Sequence, residues 1–214
     1  MNPCASASAP FSDEPPRMVA SLGMWVFLAS EAMFFGPLIL GYLYGRLHYP
    51  DAFAAAGRHT EFALGTINTA LLLTGSMLVA MASAACESNR HRLAARLLCG
   101  GAALGAAFLA IKATEYRLEW LHHFVPGADF ALDVAGRAIG QPAQLFFLLY
   151  FVTTALHAVH LTIGVVVMLV MAARLERAQA GSRQVHVAGM YWHFVDVVWL
   201  FLYPMYYLLG RSGS

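Results

Sequence analysis

The sequence predicts an all-α integral membrane bundle of five transmembrane helices, and three observations carry that prediction. Hydrophobic residues fill 59% of the 214 positions and charged residues only 12%, about half the charge of an ordinary soluble domain. Five separate runs stay apolar for the roughly 20 residues that a helix needs to cross a bilayer. Those runs hold almost no ionisable side chains, so their outer surfaces suit lipid rather than water.

Residues 1–17 carry Pro10, Pro15 and Pro16 among Ser and Ala, lack the apolar stretch of a cleavable signal peptide, and read as a disordered tail. A single transmembrane domain then fills 18–214. Its first span, 19–45, contains one charge, Glu31, and Pro37, which is expected to kink it. The second span, 62–86, has no charge at all. The third, 97–120, is clean until Lys112, after which Glu115, Arg117 and Glu119 follow. The fourth, 144–173, has no Asp, Glu, Lys or Arg, and the fifth, 190–210, has only Asp196. Connections are short except 122–143, where Pro126-Gly127 and Gly140-Gln-Pro142 read as a loop. Gly41-xxx-Gly45 and Gly101-xxx-Gly105 set small residues one turn apart, a spacing that lets helices approach closely in lipid.

A cytoplasmic N-terminus would put Arg17, Arg90, Arg92, Arg96, Arg174, Arg177 and Arg183 inside, against Arg46, Arg58, Lys112, Arg117, Arg137 and Arg211 outside. The two tight inner loops then hold six of the seven inner cations. Short loops weigh most under the positive-inside rule, so the N-terminus is expected inside a bacterial-type plasma membrane and the C-terminus on the periplasmic side. A formal net charge of +1 gives a nucleic-acid partner no electrostatic support. Cys4, Cys86 and Cys99 are odd in number and lack CxxC spacing, which implies no disulfide framework and no zinc knuckle.

Ionisable groups within the spans carry the functional information. A carboxylate at the bilayer centre costs about 2.5–3.5 kcal/mol on insertion scales, so Glu31 must face protein, paired or protonated. Two readings stand: a proton-handling group or polar-ligand anchor, and a neutral carboxyl bonding to another helix. His157 and His160 lie three residues apart on the fourth span, and His193 and Asp196 repeat the spacing on the fifth. Two His and a carboxylate are able to ligate a transition metal, but hydrogen bonding between helices accounts for the pattern without a metal. Arg174 and Arg177 close the fourth span, where cations reach the headgroups.

The run Tyr191-Trp-His-Phe-Val-Asp-Val-Val-Trp-Leu-Phe-Leu-Tyr203 closely resembles the last helix of subunit III of haem-copper oxidases. Ser30-Glu31-Ala-Met-Phe-Phe35, Asn68-Thr69, Ala113-Thr-Glu115-Tyr116 and Leu156-His157-Ala-Val-His160-Leu-Thr-Ile-Gly164 resemble further blocks of that family, in the same order. The resemblance implies an all-helical subunit that binds no haem, copper or iron itself and packs against the metal-bearing catalytic subunit I, with subunit II nearby. It implies bound phospholipid and support of proton uptake in aerobic electron transport. Phe27, Glu31, His160 and Arg174 match the family's lipid-binding or proton-related positions, while His157, His193, Asp196 and Glu115 would form a helix-packing polar cluster. His160 and Arg174 are fourteen residues apart, about 21 Å along a helix, which suits a lipid lying beside it. Many members have seven helices; this chain resembles five-helix forms that lack the first two. Lys112 and Pro204 resemble a NorE-like branch associated with nitric oxide reductase. Two other classes remain open: an independent membrane haem or metal protein built on the His pairs, and a proton-coupled transporter using Glu31 and Asp196.

Overall fold

In hydrocarbon a backbone segment must satisfy its own hydrogen bonds, so apolar runs of this length become helices. The computed structural model describes residues 15–58, 61–121 and 140–208, and the spans are helical throughout. The helices are α1 (Pro15–His48), α2 (Pro50–Arg58), α3 (Phe62–Glu87), α4 (His91–Leu121), α5 (Gly140–Glu176) and α6 (Ser182–Tyr203), followed by a π-helical turn, Pro204–Leu208. Five of them are long and apolar enough to cross a bilayer.

Their ends differ from the sequence expectation in instructive ways. Helix α1 takes in Pro15, Pro16 and Arg17 from the expected tail, because proline is tolerated where the first N–H groups need no partner; residues 1–14 lie outside the described residues. The same reasoning places Gly140-Gln-Pro142 in the first turn of α5 rather than in a loop, the remainder of which, 122–139, lies outside the described residues. Helices α4 and α6 begin well before the expected 97 and 190, so Arg92, Arg96 and Arg183 sit on helical turns. The α3–α4 and α5–α6 connections are tight. Arg90 N–H reaches Ala85 O and Gln179 N–H reaches Arg174 O, with Asn89 and Ala178 in the left-handed conformation that lets each helix stop.

Helix α2 was not anticipated. Nine residues cannot span a bilayer, and only one of its faces is apolar: Phe53 and Ala56 are buried while Asp51 and Arg58 are exposed. Gly45 on α1 admits the Phe53 ring, since a Cβ there would collide with it. Gly41, one turn earlier, faces Leu149 of α5 at ordinary contact distance, so of the two spaced glycines only Gly45 admits a close approach.

Helix α6 is the centre of the bundle. Of its most apolar stretch 56% is buried, against 17% for α1 at the periphery. Its anchor is Trp192, fully buried in a slot floored by glycines of three other helices: Gly75 of α3, Gly105 of α4 and Gly164 of α5. A Cβ on Gly105 would stand 2.8 Å from both Trp192 Cη2 and Val165 Cγ2, so only glycine fits. At its C-terminal end Pro204 cannot donate to the preceding turn, and the chain widens into the π turn rather than stopping. The hydroxyl of Tyr42 on α1 donates to the Met205 carbonyl within that turn.

Candidate functional site

The α1–α5 seam brings Glu31 and His160 together at mid-height. Their Oε2 and Nε2 atoms are 2.9 Å apart, with side chains 21% and 13% exposed. His160 Nδ1 lies 2.9 Å from the Leu156 carbonyl, which only accepts, so Nδ1 must carry a hydrogen. One further proton therefore bridges Nε2 and Glu31, resident on either the imidazole or the carboxyl. Tyr191 of α6 donates to the His160 carbonyl at 3.0 Å, and Phe35 packs on the imidazole at 5.5 Å.

On one side of this pair a groove of about 590 Å³ opens between α1, α5 and α6. Met24, Phe27, Ile163, Val167 and Tyr191 are among its walls, and Phe27 lies 6.1 Å from the Tyr191 ring. Arg183 and Gln184, in the first turn of α6, supply its polar end. Arg174 is exposed three residues beyond the wall residue Met171 and does not itself line the groove. The lining cation is thus Arg183, which sequence reasoning treated only as a loop charge because it placed the start of α6 eight residues too late.

The expected polar cluster does not form one site. Glu115 joins Lys112, Tyr150 and Tyr207 in a closed network. Lys112 Nζ donates to Glu115 Oε2 (3.1 Å), Tyr150 (2.8 Å) and Tyr207 (2.6 Å), and both phenols donate to Glu115 Oε1, at 2.9 and 2.5 Å. Lys112 is 2% exposed and has four aromatic rings within 5.6 Å. This corrects its assignment to the outer interface; the i,i+3 spacing to Glu115 was the available signal. His193 does tie helices, through Ser76 of α3 at 2.6 Å. His157 and Asp196 do not: neither makes a hydrogen bond. His157 is instead packed between Trp199 and Phe108, and Asp196 faces Ser76 and Trp192 outside hydrogen-bond geometry. Among the described residues, the two His-containing pairs diverge, and no three His, Cys, Asp or Glu side chains converge on a metal-sized point.

The family profile of cytochrome c oxidase subunit III matches residues 17–211. The chain is 30% identical to cytochrome c oxidase subunit 3 of Thermostichus vulcanus over 195 residues, covering 89% of this chain and 87% of that one. It is 30% identical to the subunit 3 of Alkalihalophilus pseudofirmus over 199 residues, covering 90% and 87%. The heme-copper oxidase subunit I+III of Aeropyrum pernix shares 29% over 203 residues, and there the chain spans only 23% of the relative's length. These names give the nitric-oxide-reductase branch no support. On the match over nearly its whole length, the chain belongs to the cytochrome c oxidase subunit III family.

Proposed function

We propose that the chain serves as the non-catalytic third subunit of a haem-copper respiratory oxidase, holding phospholipid beside the catalytic subunit and sustaining proton uptake during aerobic electron transport. The observation that carries the lipid part is the apolar groove between α1, α5 and α6, which has Arg183 in its lining and shares Tyr191 with the neighbouring Glu31–His160 pair. An acyl chain fits the Met24, Phe27 and Ile163 walls, and a phosphate suits the arginine at headgroup height. Haem and copper reside on the partner subunits I and II, and this chain contributes packing, lipid and a shareable proton at Glu31. The fusion of subunits I and III in the Aeropyrum relative supports a partner of the subunit I kind.

The N-terminus is cytoplasmic in this proposal. With Lys112 sealed in the core, the outer tally falls from six cations to five, against seven inside.

Purifying the chain from its native membrane tests the reading. It should bring down a haem- and copper-containing polypeptide and retain phospholipid through detergent washing. Purification without any haem protein would overturn the subunit assignment, and a preparation free of phospholipid would overturn the lipid role.

A further inference from the structure

We infer that the α3–α6 seam is a docking surface for a transmembrane helix of another subunit, which offers a hydrogen-bonding side chain to His193 at the bilayer midplane. The inference rests on the subunit reading above and adds the face that is used. His193 stands eleven residues after the start of α6, and Ser76 eleven before the end of α3. Both therefore lie about 16 Å inside the ends of their helices, near the middle of a hydrocarbon layer about 30 Å thick.

His157, His160 and His193 differ in what their nitrogens meet. His160 has a partner at each nitrogen. His157 has none, but at 1% exposure it is sealed between aromatic rings. His193 is half-buried; Ser76 satisfies Nδ1, while Nε2 makes no hydrogen bond to any described residue and is not among the fully buried atoms. Water and headgroups do not reach that depth, and an acyl chain offers no hydrogen bond. Only a protein side chain at the same depth removes the penalty.

The chemistry of the occupant follows from the Ser76–His193 bond. If Ser76 donates to Nδ1, Nε2 carries the hydrogen and donates outward; if Nδ1 donates to Ser76, Nε2 accepts. A serine, threonine or carboxamide side chain answers either state. Along the same stretches of α3 and α6, Leu73, Met77, Val197 and Phe201 are 49%, 57%, 47% and 58% exposed, apolar surface against which a helix packs. The α1–α5 seam lacks such a handle, because its mid-depth imidazole is already engaged by Glu31.

Site-specific photo-crosslinking in the intact complex tests this. A benzophenone amino acid is placed at Met77 or Val197, and for comparison at Val159 or Leu169 on α5. Met77 and Val197 should crosslink to a helix of a different subunit, within about one turn of a hydroxyl or carboxamide side chain. Lipid adducts alone at both positions, or crosslinks to a second copy of this chain, would overturn the inference. His193→Leu should lower retention of the chain by detergent-washed complex about three- to tenfold at equal amounts in the membrane, and His193→Gln should restore it. Unchanged retention in His193→Leu would overturn the role of the imidazole. Failure of the unaltered chain to co-purify with a haem protein counts against the subunit reading instead; normal co-purification with crosslinks from α5 alone counts only against this face.

Discussion

Lys112–Glu115 in the α4–α5 core and His160–Glu31 at the α1–α5 seam both set a carboxylate against a basic nitrogen inside the bilayer, at 3.1 and 2.9 Å. The first pair is closed. All three hydrogens of the Lys112 ammonium have acceptors, and both Glu115 oxygens are engaged, from α4, α5 and the π turn together. The second pair is open: one Glu31 oxygen meets His160, and the side chains keep 21% and 13% of their surface. A buried charge stabilises only when its own hydrogen-bonding capacity is filled, so the Lys112–Glu115 pair can anchor the fold but has no valence left for a ligand. The open pair contributes less to stability and remains available to a lipid or a proton.

That contrast is breakable by mutation, starting with its largest consequence. Lys112→Met leaves Glu115 buried without its cation and should cost about 3–5 kcal/mol, read as a lowered denaturation midpoint of the purified protein. Adding Glu115→Leu should recover most of that loss, since an apolar pair of similar volume has no charge to desolvate. A cost below about 1 kcal/mol for the single change would show that the network is not closed as described. Tyr207→Phe removes one acceptor from Lys112 and one donor from Glu115, and should cost about 1–3 kcal/mol by the same measurement.

At the open site the expected effects are smaller and fall on lipid rather than on folding. Arg183→Ala should weaken retention of anionic phospholipid roughly fivefold, the equivalent of about 1 kcal/mol for one basic residue near a membrane surface. Arg174→Ala should change it less, and quantifying co-purified lipid by mass spectrometry separates the two; the reverse order would move the headgroup site off the groove. Glu31→Gln keeps a hydrogen-bonding partner for His160, so its effect on unfolding should stay under about 1 kcal/mol. A loss as large as that of Lys112→Met would erase the distinction between the two pairs.

The five spans and the family were legible in the sequence because both reside in runs of residues: hydropathy summed over about 20 positions, and ordered blocks such as 191–203. Glu31 and His160 were legible as costly groups in lipid, though nothing local says that they meet across 129 residues. Lys112 was misplaced because a cation near a helix end looks interfacial until the neighbouring Tyr150 and Tyr207 are seen to enclose it. Helix α2 escaped because nine residues with one apolar face carry no span signal.

The sequence by itself determined that this chain lives in a membrane, how many times it crosses and which residues are expensive there, since transfer free energy adds up along the chain. Only the tertiary structure decided which of those residues satisfy one another: Glu31 with His160, Lys112 with Glu115 and two tyrosines, His193 with Ser76, and His157 with none. Pairing depends on how each helix is rotated and how closely it approaches its neighbours. Those are set by packing, here by Trp192 seated on Gly75, Gly105 and Gly164, and not by the order of residues in any one span.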